Sequence, residues 1–410
     1  MTKQSIVDIL NKTIEWSLYL LIFCLPFSKS IIEITITIAL VAWVIKKILL
    51  RDFRLKKTPL NILLFALFFA SVISMINAGD KFFVAYALIT KCSKWILLYF
   101  IIVEEMNSET KLKNLLTMIF LSGIVVCIDA FIQYRYLYTD VIRHYPSFKY
   151  TPAYSSDGFY RGFPTGPFPF PNDFSAWMLM ILIPALVIFL FGIRSLFAKI
   201  GVGLFSALLA YFFYFANTRS AWLGFMLSMC AILAIKKIRL LMAVLLLILV
   251  AYPFLPKEKT KDIFCTASFT DRGVMWKNGY EIFMQHPIIG NGLNTFFGKY
   301  KEVRDDECKG LRGSYAHNGF LQIAADIGIL GLTVFLLIIG QTFYCSYKFI
   351  KKCNDRFYKA LSLGICGGLL AFLVHSFFDT NLHSLPLVAL FWFTVGVLMS
   401  LDQIACKNEA

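Results

Sequence analysis

A histidine and an asparagine stand side by side at His317 and Asn318, in the stretch GSYAHNGFLQIAADIGILGL, where a long apolar run begins. A neutral imidazole can take a proton from a hydroxyl near neutral pH. Three arginines share that chemical company. Arg161 lies in RGFPTGPFPFPNDF, Arg219 in NTRSAWLGF and Arg272 in TDRGVMW. The guanidinium is a planar fork of donors that matches phosphate oxygens. His375 and Asp379, four residues apart in HSFFDTNLH, complete the set. Arginines and a histidine around one pocket suit transfer of a group from a diphosphate leaving group to an alcohol. The arginines would stabilise charge on the departing oxygens. No carboxylate-rich metal cage is apparent, and a reaction without metal or cofactor is compatible with these residues.

Each residue also has an ordinary structural reading. Arg219 opens an apolar run and can snorkel to headgroups. Arg272 can be a plain surface charge, and Arg161 can anchor its loop to anionic lipid. His317 or Asn318 can cap the helix that follows. His375 and Asp379 can pair with each other if one helix carries both. The prolines 164, 167, 169 and 171 stiffen the approach to Asn172, so Asn172 and Arg161 can be presented from a defined loop. GNG at 290–292 reads as a turn, and GILG at 328–331 as a site of close helix packing.

The elements that must position these residues are membrane spans. The chain has 410 residues, 58% of them hydrophobic, and a mean hydropathy of +0.69. Apolar runs of spanning length recur from end to end and do not alternate, which excludes a soluble domain and disfavours a β-barrel. The expectation is an all-α polytopic membrane protein, one integral domain over residues 1–410 with about twelve spans. They fall near 15–27, 30–45, 60–77, 83–103, 113–133, 172–192, 196–215, 219–235, 239–254, 318–346, 358–376 and 385–402. The net charge is +15. Its basic residues collect in short loops at 46–57, 192–199, 236–239 and 348–359, all on one side of a twelve-span layout. That is the pattern of cytoplasmic loops, not of nucleic-acid binding, and it puts both termini in the cytoplasm.

Segments 134–171, 216–219, 255–317 and 377–384 then face outward, and they hold Arg161, Arg219, Arg272, His317 and Asp379. The large loop 255–317 is expected to contain a helix at 272–287, stopped by Pro287. Its two cysteines, Cys265 and Cys308, are candidates for a disulfide on an oxidising side of the membrane. Nucleotide sugars belong to the cytoplasm, so an outward-facing transferase points to a lipid-linked diphosphate donor, with spans and membrane lipids around its tail.

Five motifs carry a family resemblance. RGFPTGPFPFPNDFSAW (161–177), NTRSAWLGF (217–225), DRGVMW (271–276), HPIIGNGLNTF (286–296) and AHNGFLQIAADIGILGL (316–332) together resemble the O-antigen ligase and polymerase family of bacterial envelope glycosyltransferases. The resemblance covers the middle and second half of the chain. It implies a glycan donor on undecaprenyl diphosphate, used at the periplasmic face of the bacterial inner membrane. For a ligase the acceptor is a sugar hydroxyl of the lipid A core, and transfer is inverting and metal-independent. It also implies His317 as the base or acceptor-site residue and Arg161, Arg219 and Arg272 as diphosphate ligands; no second base is needed, so His286 reads as structural or rim-forming. A Wzy-type polymerase shares these features. A polytopic lipid or polysaccharide transporter is the alternative of another class, although no internal repeat supports it.

Overall fold

The computed structural model describes residues 2–137, 139–144, 163–239, 242, 267–303 and 315–406. Among these the regular elements are helical. In chain order they are α1 (Lys3–Cys24), α2 (Lys29–Leu50), α3 (Asn61–Ile73), α4 (Lys81–Ala87), α5 (Lys94–Glu105), α6 (Glu109–Ile132), α7 (Pro171–Val187), α8 (Leu196–Phe215), α9 (Arg219–Lys236), α10 (Ala267–Gln285), α11 (Phe296–Val303), α12 (Gly319–Lys352), α13 (Arg356–Ser376) and α14 (Leu385–Cys406). A π-turn over Leu88–Ser93 joins α4 to α5, and another, Ile188–Gly192, extends α7.

Eight described helices are long and apolar enough to cross a membrane: Lys81–Glu105, Glu109–Tyr136, Pro171–Gly192, Leu196–Phe215, Arg219–Lys236, Gly319–Lys352, Arg356–Ser376 and Leu385–Ala405. The chain is thus an all-α, multi-pass membrane protein. Helices α1 and α2, 22 residues each, cover the first expected pair of spans, but neither is among these eight. The third is the shorter apolar helix Asn61–Asn77. The ninth, 239–254, lies almost wholly outside the described residues, and twelve spans remains a proposal. The helix expected at 272–287 is α10, which ends at Gln285, just before Pro287.

In a bilayer, lipid tails are as apolar as leucine, so helices associate through close packing and hydrogen bonds. Helix α13 shows both. A methyl group on its Gly364 would come within 2.7 Å of the Pro184 backbone in α7. On α9, a methyl on Gly224 would come within 2.5 Å of the Ala371 carbonyl of α13. The Ser228 hydroxyl of α9 donates to the Gly367 carbonyl at 2.7 Å. These approaches lock α7, α9 and α13 together and fix the relative height of Asn172, Ser220 and His375 at one end of the bundle.

Helix α12 is broken. Ile327 and Gly328 leave helical geometry, Gly328 with φ of +70°. Into the break fits the turn 287–292. Ile329 donates to the Pro287 carbonyl at 2.9 Å, Gly292 to Asp326 at 2.9 Å and Asn291 to Ala325 at 3.0 Å. Backbone groups freed at membrane depth need such partners. This corrects the reading of GILG as a helix-packing site. A methyl on Gly328 would sit 2.2 Å from the Ile288 carbonyl, so the glycine admits a loop rather than a helix. The turn reading of GNG holds, with φ of +81° at Gly290 and +114° at Gly292.

Candidate functional site

Three helices begin at one end of the bundle: α7 at Pro171, α9 at Arg219 and α12 at Gly319. Helix α13 ends there, and the connection 377–384 crosses between them. Asn318 caps α12, its side-chain oxygen accepting from Phe320 at 3.1 Å and Leu321 at 3.0 Å. The cap frees its neighbour His317, whose φ is +47°. That turn sends the ring toward the 377–384 connection, where Nδ1 lies 3.2 Å from Asp379 Oδ1. The connection is strapped to α12 by a hydrogen bond from the Gly319 N–H to the Asp379 carbonyl at 3.0 Å.

Asp379 is 6% exposed, and its carboxylate is well supplied with donors. The Asn172 amide donates to Oδ2, and the Thr380 N–H to Oδ1 at 2.7 Å. Burial pushes this carboxyl up, but the hydrogen bond to His317, the charge of that ring when protonated and the Thr380 N–H overcome it and hold the group at about 2.

His375 does not pair with Asp379, because α13 stops at Ser376 and the two leave a common helix face. Fully buried, His375 instead holds the Asn172 carbonyl through Nε2 at 3.2 Å and the Ser220 hydroxyl through Nδ1 at 2.8 Å. A carbonyl only accepts, so Nε2 carries hydrogen and, in a neutral ring, Nδ1 accepts from Ser220. Asn172 therefore joins the two histidine systems, its carbonyl on His375 and its amide on Asp379. Below it the Ser175 hydroxyl donates to Thr218 at 2.9 Å, tying α7 to the start of α9.

Arg219 is the exposed first residue of α9, next to Ser220. Arg272 is half-buried on α10, one turn before Trp276. The Trp276 indole donates to the His317 carbonyl at 3.3 Å and packs edge-on against Phe377 at 5.6 Å between ring centres. This seats α10 over His317, and the charge of Arg272 reaches His375. Neither α7 nor α9 has a side-chain cap, so the positive ends of two helix dipoles open on the same place. Arg161, Cys265 and Cys308 lie outside the described residues. His286 contributes its carbonyl, which accepts from Gly290 at 2.8 Å inside the turn.

Sequence reasoning missed two acids and a serine. Ser220 carried no signal beyond its place beside Arg219. Asp173, one residue past Asn172, accepts from the Ser384 hydroxyl at 3.0 Å. Asp326, 2% exposed within α12, accepts from Asn294 at 3.1 Å and Phe296 at 3.0 Å and so holds the start of α11. An acid inside an apolar run is a sequence-readable warning of a buried polar function. Here Asp326 borders a chamber of about 120 Å³ with Lys91, Asn294 and His383. Burial, helped by the Lys91 charge, pushes His383 down to about 4.

The comparisons with known proteins fall on this geometry. A family model described as O-antigen ligase matches residues 204–336. A Rickettsia bellii protein named "Putative polysaccharide ligase" is 31% identical over 84 residues, 18% of this chain and 18% of that protein. A similarly named Rickettsia conorii protein is 27% identical over 136 residues, 30% of this chain and 31% of its own length. The chain thus matches less than a third of either relative. Residues 204–336, which include Arg219, Arg272 and His317, are similar to the O-antigen ligase family, as the sequence motifs indicated.

Proposed function

We propose that this chain transfers a glycan from undecaprenyl diphosphate to a sugar hydroxyl of a lipid A core, with His317 as general base. The observation that carries the reading is the His317–Asp379 pair at 3.2 Å. An ionised carboxylate only accepts, so the proton of a neutral His317 sits on Nδ1 and Nε2 is left with its lone pair. As the acceptor oxygen bonds to the anomeric carbon, its proton passes to Nε2. The bond from that carbon to the diphosphate oxygen breaks, and the electron pair leaves with the diphosphate. Attack opposite the leaving group inverts the anomeric centre.

Arg219, Arg272 and the uncapped starts of α7 and α9 supply the positive potential a diphosphate needs. Arg161 is proposed as a third donor ligand. Asn172 and His375 act through Asp379, as positioning residues, and Asn318 through the helix cap. The match to the O-antigen ligase family and the names of the relatives support glycan transfer as the reaction class. On this reading the site opens to the periplasm, in a bacterial inner membrane.

The test is reconstitution of purified protein with lipid-linked glycan and lipid A core. Transfer to the core is the expected product. Lengthening on the lipid carrier would make the chain a Wzy-type polymerase, and neither product would remove the reading. His317→Ala should keep donor binding while transfer falls roughly 10²–10⁴-fold. Near-normal transfer by a folded His317→Ala protein would end the general-base assignment.

A further inference from the structure

Two of the helices that present the candidate site, α7 and α13, also line a second feature. Between α6, α7, α8, α13 and α14 lies a cavity of about 330 Å³. Its wall is almost wholly apolar and includes Leu115, Met180, Ile193, Val202, Phe357 and Leu361. Pro184, inside α7, helps to open it, because proline has no N–H for the Met180 carbonyl one turn earlier. The lining runs from Trp177 and Leu390, in the halves of α7 and α14 nearer the candidate site, to Leu115, Ile193 and Phe357 at the other end. Half-buried lining residues extend from Phe120 and Thr394 at mid-bundle to Ile193 and Phe357, so the open side reaches the far end.

Cations stand around that end. Arg194 follows the π-turn of α7, Lys199 lies in the first turn of α8, and Arg356 and Lys359 lie in the first turn of α13. They are neighbours in space. Arg356 Nε donates to the Phe191 carbonyl. A methyl on Gly192 would sit 3.1 Å from Ala360, and the Lys199 ammonium stands 5.7 Å from the Phe189 ring centre. Asp355 is the acid beside them, and its side chain is used in capping α13 at 2.9 Å from the Tyr358 N–H. Asn172 and Gly192 are separated along α7 by 20 residues, about 30 Å of helix at 1.5 Å per residue. That is roughly the thickness of a bilayer's hydrocarbon core. The cations therefore lie at the membrane face opposite His317.

We propose that this end of the bundle is a binding site for an anionic phospholipid, with an acyl chain in the cavity and the phosphate on Arg194, Lys199, Arg356 and Lys359. A basic rim alone follows from topology. A basic rim around an apolar cavity between spans matches both halves of a lipid. The lipid of that leaflet is favoured over the tail of a donor bound near His317, because the cavity's open side reaches the end where the cations stand.

Native mass spectrometry of delipidated protein, titrated with phosphatidylglycerol or with phosphatidylcholine of identical chains, tests the proposal. Phosphatidylglycerol should bind at one saturable site, at least tenfold more tightly. Arg194→Gln/Lys199→Gln should remove most of that preference, at about fivefold per surface charge. Val202→Trp, at the half-buried rim, should weaken both lipids alike. Unchanged elution volume and thermal midpoint establish that the variants are folded, and the wild-type headgroup comparison stands without them. Equal binding of the two lipids, a preference that survives removal of the charges, or indifference to Val202→Trp would each overturn the site.

Discussion

Asp379 is the residue on which the candidate chemistry turns, and its environment fixes a direction for pH. Its carboxyl is held at about 2 in the fold, against about 3.9 for an unfolded aspartate. A lowered folded value means that the group stabilises the fold fully above pH ~4 and loses that contribution as pH falls toward about 2. Asp379→Asn should therefore be less stable than wild type near neutrality, by roughly 2 kcal/mol. The gap in thermal midpoint should close between pH 4 and 2. A gap constant across that window would mean that the carboxylate is not held by charge. Arg219 gives a different signature. Arg219→Ala should weaken donor binding and slow transfer, and Arg219→Lys should rescue only part of both, since an ammonium lacks the two-pronged contact. Donor affinity and transfer measured on the same samples decide this, and full rescue by lysine would reduce Arg219 to a point charge. Residue type, outward placement and family motifs made His317 and Arg219 visible in the sequence, and Asp379 was visible beside His375. Their partners were less so. That Asp379 belongs to His317 rather than His375 depends on where α13 stops, and one turn of helix changes the answer.

At the scale of elements, the sequence was most legible where periodicity was long. The start of α9 at Arg219 and the stop of α10 before Pro287 follow from local rules of apolar pattern and helix breaking. The break in α12 was not legible in the same way. Its apolar run is continuous from one side of Gly328 to the other, and what bends it is a turn some forty residues earlier in the chain. Asp326 was the available hint. Its carboxylate holds Asn294 and Phe296 while the neighbouring carbonyls of Ala325 and Asp326 hold Asn291 and Gly292. Half of α12 is thereby fixed to the loop that precedes the site. Gly328→Ala places a side chain at φ of +70° and against the Ile288 carbonyl at 2.2 Å. The expected loss of stability is about 2–4 kcal/mol. It should appear as a lowered unfolding midpoint in detergent, with faster hydrogen exchange in 287–292. An unchanged midpoint would mean that α12 can straighten without the turn.

For the whole molecule, charge suggests an orientation and geometry places the candidate site relative to it. Basic residues follow α2, sit between α7 and α8, and flank the join of α12 and α13. Two acids help to hold the first group, Glu105 pairing with Lys46 at 2.6 Å and Glu104 with Lys47 at 2.9 Å. The positive-inside rule assigns these loops to the cytoplasm. The candidate site lies at the other ends of the same helices, because α7 and α9 begin at Pro171 and Arg219 and run toward the basic loops. Its exposed side would then be periplasmic, the side on which the proposed function places its donor. Parity also enters. On the twelve-span expectation, residues 239–254, an apolar run in the sequence, supply the crossing between α9 and α10. Reporter fusions after Lys56 and Lys352 should accordingly read cytoplasmic, and a fusion at Lys301, in α11, should read periplasmic. A cytoplasmic signal at Lys301 would remove the crossing at 239–254 and put His317 on the side where nucleotide sugars, not translocated lipid-linked glycans, are the available donors.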